Sequence, residues 1–364
     1  MYVLSVRLPG SFYLDYKNAL TSFADSAPSV PRDAADRLID RFGRVHRSLR
    51  ISVIDRCNIR CFYCMPEHVD NFLPRVDLLS FDEIVRVVGL LASAGVSKIR
   101  LTGGEPLLRP NLDALIARIA AVSGVDEIAL TTNGILLPKF ATSLKAAGLQ
   151  RLNISLDTLN EATFQRISRR SGVDRVIAGI DHAIDLGFEQ IRLNALAIRG
   201  LTETEIMPLA DFARRRQLTL RFIEYMPLDA DRAWQDGDVL SGEAIRKRIE
   251  AEMGPLRETG RDDPAQPAID YKFADGSGRV GFINPVSRPF CNACDRLRLT
   301  AEGGLRNCLF SDRNWDLRPL LRSAASDADL INLITESVAA KEAGHLISRP
   351  GFEQPQRAMY QIGG

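Results

Sequence analysis

No apolar run in this chain of 364 residues approaches the roughly 20 residues that a bilayer crossing needs, so a membrane-spanning role is not expected. Charge of one sign is not in excess either: 47 Lys and Arg stand against 46 Asp and Glu. Nucleic-acid and membrane-surface binders draw affinity from a basic surplus and from patches that interleave bases with aromatics. The chain offers neither, which leaves room only for a local arginine-lined pocket. Residues 1–20 lack a basic segment leading into an apolar core and carry Asp15 with only Arg7 and Lys17 as bases. Neither a secretory nor an organelle leader is therefore expected. The expected compartment is the cytoplasm, where thiols stay reduced and cysteines serve as metal ligands or catalysts. There is no coiled coil and no repeat apart from a strand–helix rhythm.

What is present reads as a folded α/β protein. A hydrophobic share of 45% with 26% charged residues is that of a globular domain, and the length allows one large barrel or two modest domains. Residues 1–39 read as an N-terminal extension whose small, proline-punctuated stretch at 22–31 suits a linker. Strands are predicted at 49–54, 98–102, 127–131, 151–155, 190–197 and 219–223, with amphipathic helices between them. The first helix has a capping-box start at Ser80 and Glu83 and a stop at Gly95, and Gly148 and Gly187 fall where the later helices should end. Such alternation implies right-handed crossovers and a parallel sheet, a partly closed (β/α)6 barrel or an open doubly wound sheet. After residue 227 the rhythm breaks. A Pro/Gly/Asp-rich stretch at 257–268 precedes a hairpin of 269–273 and 279–283, and a helical segment is expected at 317–338.

The six cysteines fall into two sets. Cys57, Cys61 and Cys64 have C-x3-C-x2-C spacing directly after the first predicted strand; Cys291, Cys294 and Cys308 have C-x2-C-x13-C spacing. Clustered thiolates select soft metals. Three ligands leave one iron of a 4Fe–4S cubane free for a substrate or cofactor, since the cluster normally takes four. The rival reading is zinc, with His68 completing the first set and His345 or a carboxylate the second. Polar residues gather at the predicted strand ends, among them Gly103-Gly104-Glu105, Thr131, Ser155, Asp157, Asn194 and Met226. That is the face where β/α barrels collect catalytic groups.

The first cysteine spacing, with Met65-Pro66 and Thr102-Gly103-Gly104-Glu105-Pro106, resembles the radical S-adenosylmethionine (SAM) superfamily. The phrases at 40–44, 49–52, 55–57, 221–226 and 290–300, with the terminal Ile362-Gly363-Gly364, narrow the resemblance to the GTP 3′,8-cyclase (MoaA) family of molybdenum cofactor biosynthesis. It covers the chain from about residue 40 onward. The resemblance implies a partial (β/α)6 TIM-type radical SAM barrel at 40–227. It also implies a C-terminal extension at 228–364 that carries a second iron–sulfur cluster and a Gly-Gly tail.

Two 4Fe–4S clusters and SAM are the cofactors that the resemblance implies. Cys57, Cys61 and Cys64 would hold the cluster that cleaves SAM to a 5′-deoxyadenosyl radical. Tyr63, Gly104, Ser155 and Met226 would contact SAM. GTP would meet Arg50, Arg100, Thr131, Arg192, Arg296, Leu297 and Arg298 beside the cluster of Cys291, Cys294 and Cys308. The radical would take hydrogen from C3′, the C3′ radical would close onto C8, and a reduction by one electron with uptake of a proton would complete 3′,8-cyclo-7,8-dihydro-GTP. Arg296, Arg298, Gly363 and Gly364 would support that step. Many family members carry lysine where this chain has Arg192, a change of geometry at constant charge. The implied partners are a second copy of the chain, a reductant protein and a downstream cyclic pyranopterin monophosphate synthase. Competing readings are a peptide-modifying radical SAM enzyme with an auxiliary cluster, a cyclase paralogue without turnover, and a zinc protein without chemistry.

Overall fold

The computed structural model describes residues 37–363 apart from 70, 346 and 348–350. The extension expected at 1–39 lies, up to residue 36, outside the described residues. Leu38 already belongs to the fold: it is buried, and its N–H donates to the Ala94 carbonyl at 3.2 Å.

Six parallel strands form the centre: β1 (Ser48–Ser52), β2 (Lys98–Thr102), β3 (Glu127–Thr132), β4 (Arg151–Ser155), β5 (Gln190–Ala197) and β6 (Thr219–Glu224). Between them run α1 (Phe81–Ser93), α2 (Leu112–Ala120), α3 (Leu137–Ala146), α4 (Glu161–Ser168), α5 (Val173–Asp185) and α6 (Ile206–Arg215). The local causes are those the sequence predicts. The Ser80 hydroxyl accepts from the Glu83 N–H at 3.1 Å, and the Glu83 carboxylate accepts from the Ser80 N–H at 2.6 Å. Ile84, Val87, Val88 and Leu91 then repeat at helical spacing and are buried. Gly95, Gly148 and Gly187 follow helix ends with positive φ of 94°, 100° and 74°, a conformation in which a side chain would be strained.

Strand alternation sorts two kinds of side chain. Ile99 and Leu101 of β2, like Leu49 and Ile51 of β1, are at most 1% exposed and pack into the core beneath the helices. Their neighbours Arg50 and Arg100 point to the other face.

The sheet extends beyond six strands. α7 (Gly242–Met253) is followed by β7 (Leu256–Gly260), β8 (Ile269–Phe273) and β9 (Arg279–Ile283); then come β10 (Arg296–Leu299), β11 (Gly304–Arg306) and β12 (Trp315–Asp316). The expected hairpin is β8–β9, but β9 also pairs parallel with β6, and β10 pairs parallel with β1. One twelve-stranded sheet results, in the order β12-β11-β10-β1-β2-β3-β4-β5-β6-β9-β8-β7. It runs without a break across the boundary expected at 227/228. Residues 257–268, expected to be irregular, begin inside β7, whose Arg257 and Glu258 suit an exposed edge strand. The single helix expected at 317–338 is two, α8 (Arg318–Leu321) and α9 (Asp327–Ala339), because Ser326 and Asp329 form a second capping box that starts a new helix. α10 (Met359–Ile362) follows.

Side chains from β1, β6, β10 and the end of β9 line one cavity, so the sheet curls until its two flanks face each other. β9 and β10 do not pair among the described residues. Residues 284–295 cross this seam from the carboxyl end of β9 to the amino end of β10. The crossing is pinned at both ends. Buried Glu224 of β6 accepts from the N–H groups of Val286 and Ser287 at 3.0 and 2.9 Å, and Ser48 of β1 donates to Asp295 at 2.8 Å.

Candidate active site

The cavity inside the curled sheet has a volume of about 410 Å³ and is lined by all six cysteines. None is in a disulfide. Topology separates the two sets. Cys57, Cys61 and Cys64 follow the carboxyl end of β1. Cys291 and Cys294 precede β10, whose first residue Arg296 is level with Ser48, the first of β1; Cys308 follows β11, which runs back antiparallel to that same end. The triads therefore sit at opposite ends of one cavity. Among the described residues no three His, Cys, Asp or Glu side chains close on a single-ion point.

The two ends differ in charge. Burial, reinforced by the Glu105 carboxylate, pushes the Cys57 thiol up to about 11, and burial drives Cys61 and Cys64 up as well. No cation among the described residues offsets this for Cys61 or Cys64. At the other end burial opposes ionisation of Cys294, but Arg296 and Lys341 prevail and hold it down to about 6. The Arg296 guanidinium donates to the Cys294 sulfur at 3.4 Å.

Around the first triad the backbone comes close. A Cβ on Gly104 would collide with the Arg56 carbonyl, and one on Gly103 would lie 2.5 Å from the Ile54 carbonyl oxygen, so only glycine fits the strand end. Buried Glu105 accepts from the N–H groups of Leu107 and Asn133 at 3.0 and 2.8 Å and from the Thr132 hydroxyl at 2.8 Å. Burial still raises it to about 7. The Asn133 amide donates to the Cys57 sulfur at 3.7 Å. The Tyr63 hydroxyl donates to Asp157 at 2.7 Å, and that carboxylate also accepts from the Leu196 N–H at 2.7 Å. Tyr63, Gly104, Ser155 and Met226 all line the cavity.

Between the triads lies a band of arginines. Arg50, Arg100, Arg192, Arg296 and Arg298 line it, as does Thr131. Arg221 is held by Asp270 at 2.8 Å, Arg151 by Glu127, and Lys98 by Asp263. Arg50, Arg100 and Arg192 have no hydrogen-bond or ion-pair partner among the described residues. Burial, and then repulsion from Arg298 on Arg50, from Arg192 on Arg100 and from Arg221 on Arg192, pushes Arg50 well down, Arg100 to about 9 and Arg192 to about 10. Guanidinium groups so placed match the forked oxygens of a phosphate chain.

Leu297 differs from the other expected nucleotide contacts. Its side chain is 0% exposed within the core, because alternation turns it away from Arg296 and Arg298. Only its backbone can face the cavity. At the tail, the Gly363 carbonyl accepts from Arg298. Gly363 has a φ of +76°, and a Cβ there would lie 2.6 Å from the Thr102 hydroxyl. Gly364 lies outside the described residues. Arg151, Arg221 and Lys98 were missed by the sequence reading, although inward alternation on predicted strands signals all three. Lys341, just past α9, has no such signal.

A parallel sheet with a three-cysteine loop after β1 defines the class. Residues 51–213 match the family model of the radical SAM superfamily, and residues 218–347 match Molybdenum Cofactor Synthesis C. The crystal structure of Streptococcus suis SuiB has the same fold at a TM-score of 0.56 and 13% identity, over 85% of this chain and 69% of that one. The SAM-bound crystal structure of SuiB gives 0.55 and 14%, over 88% and 78%. Membership of the superfamily brings SAM and a 4Fe–4S cluster as cofactors.

The chain belongs more narrowly to the GTP 3′,8-cyclase family. It is 55% identical to the GTP 3′,8-cyclase of Rhodopirellula baltica, over 90% of this chain and 92% of that protein. It is 43% identical to that of Pelotomaculum thermopropionicum, over 89% and 99%. The mitochondrial GTP 3′,8-cyclase of Arabidopsis thaliana is 40% identical, over 91% and 84%.

Proposed function

We propose that this chain is a GTP 3′,8-cyclase that converts GTP to 3′,8-cyclo-7,8-dihydro-GTP, the first step of molybdenum cofactor synthesis. The observation that carries the proposal is the band of arginines without acid partners, set between two cysteine triads inside one cavity. Three guanidiniums without ion-pair partners, crowded by further arginines, call for an anion, and a triphosphate suits their number and fork geometry. The thiols fit a cluster at each end. Half-buried Cys61 and Cys64 have no cation among the described residues to ionise them, and a metal core would supply that charge.

Cys57, Cys61 and Cys64 would hold the SAM-cleaving cluster, and Cys291, Cys294 and Cys308 a second one facing the nucleotide base. When bound, the reduced first cluster and SAM would supply the radical that takes hydrogen from C3′ of GTP; closure of that carbon on C8 would then need one electron and a proton to complete the product. The chain's own residues bind, orient and shield. Glycines at 103 and 104 leave room for SAM against the backbone, while Ser155, Met226 and the Tyr63 backbone fix its position. Arg50, Arg100, Arg192 and Thr131 hold the phosphates, and Arg296 and Arg298 hold the base end. The tail glycines, 363 and 364, close the site beside Arg298. Holding C3′ near C8 is mainly a positioning task, and excluding water and oxygen protects the radical.

No helix among the described residues is long and apolar enough to cross a membrane; the proposed working form is a cytoplasmic homodimer. A reductant protein would supply electrons, and a cyclic pyranopterin monophosphate synthase would take the product. The test is anaerobic reconstitution with iron and sulfide counts, followed by SAM cleavage with and without GTP. About eight irons and a GTP-dependent cyclic product are expected. Four irons would sink the second cluster, and cleavage without a cyclised nucleotide would sink the cyclase.

A further inference from the structure

Arg44, at the end of the segment 40–44, and Lys341, two residues past α9, line the cavity beside the second cysteine triad, and no binding role given above uses them. Two buried cations lie there. The Arg44 guanidinium donates to the carbonyls of Cys291, Glu342 and Ala343 at 2.9, 2.7 and 3.1 Å. The Lys341 ammonium donates to the carbonyls of Arg296 and Asn307 at 2.9 and 2.6 Å. Each chain segment that carries a cysteine of the second triad is thus tied down. Arg44 grips the Cys291 residue itself, while Lys341 bridges the strand after Cys294 to the residue before Cys308.

Their charges are not equivalent. Arg44 is neutralised by buried Asp40, whose carboxylate accepts its Nε–H at 2.6 Å. His46 lies 3.7 Å from that carboxylate, and burial and Lys341 hold it down to about 3, so it adds no charge. Lys341 is 3% exposed and makes no ion pair with a carboxylate among the described residues. Of this pair, Lys341 is the cation without a carboxylate partner among the described residues. A buried positive charge beside an iron–sulfur centre favours the reduced, more negative state, because net charge and surrounding hydrogen bonds set such potentials.

We propose, resting on the two-cluster reading, that Arg44 and Lys341 are positioning residues of the second site. Arg44 fixes its geometry, and Lys341 both bridges its strands and raises its reduction potential. Neither residue touches the first triad. Lys341→Gln keeps a donor and removes the charge; Lys341→Arg keeps the charge. Each full-length variant is reconstituted anaerobically, its iron is counted, and both clusters are titrated electrochemically by electron paramagnetic resonance.

The expected result is a lowered midpoint for the second cluster in Lys341→Gln, an unmoved first cluster, and a near-native second midpoint in Lys341→Arg. Loss of the second cluster in Lys341→Gln with retention in Lys341→Arg supports the same role. An unchanged second midpoint in Lys341→Gln, or loss of the cluster in both variants, overturns it. If the unmodified protein itself holds only four irons, the two-cluster reading fails first, which is a distinguishable outcome.

Discussion

Arg50, Arg100 and Arg192 are held by their strands beside other guanidiniums that repel them, and none has an ion-pair partner among the described residues. Such strain is released when an anion binds, so each guanidinium contributes more to the bound than to the free state. Removing a hydrogen bond to a charged group costs about 1.5–3 kcal/mol. Arg100→Met should therefore raise the KM for GTP by about 10- to 100-fold in a product-formation assay. The sign of the pH effect follows from the same residue. A phosphate prefers the protonated guanidinium, so affinity is full below the free-protein value of about 9 for Arg100 and falls as pH rises through it. Equilibrium binding of GTP across pH 7.5 to 10 checks this, and a flat profile would contradict it. At Gly104 the controlling effect is steric. Gly104→Ala should abolish SAM cleavage while iron content at the first site stays near native, because the added carbon meets the Arg56 carbonyl and not a sulfur.

Elements of this fold follow local signals where the signal is local. The capping box at Ser80 and the cysteine spacing after β1 are legible because each is completed within a few residues. Ser80→Ala should cost about 1 kcal/mol of stability, read as a lower urea midpoint with activity per folded molecule unchanged. The Glu83 partner does more than cap. It also accepts from Arg322 at 2.8 Å and so ties α1 to the turn beyond α8. Glu83→Ala should therefore cost more than Ser80→Ala, and equal costs would deny that tie. The β7 edge strand and the restart at Ser326 were less legible, since a polar edge strand looks like a loop and a capping box inside an apolar stretch is easily passed over. Lys341 was illegible for a different reason: only the packing of α9 against the sheet brings it behind Cys294 and Cys308, and no period in the sequence records that packing.

For the molecule as a whole, the sequence conveyed the parallel rhythm but not the strands that flank it. β9 and β10 pair with β6 and β1 through residues far along the chain, and such pairings leave no mark on local composition. The barrel region and the C-terminal region consequently share one sheet. A fragment ending at residue 227 would expose the edges of β1 and β6, with apolar positions such as Leu49 and Phe222 beside them. It should aggregate or melt without a cooperative transition in circular dichroism. A monomeric, cooperatively folded fragment would show that the two regions are independent.

The seam between β9 and β10 gives the second cysteine set another significance. The segment that crosses it, 284–295, carries Cys291 and Cys294 and has Cys308 as its anchor on the far strand. Whatever binds these three thiols works as a clasp on the rim of the curled sheet. Damage by air at that end would then be mechanical as well as chemical: an unfastened wall, open first to proteases at 284–295, well before any strand of the centre comes loose.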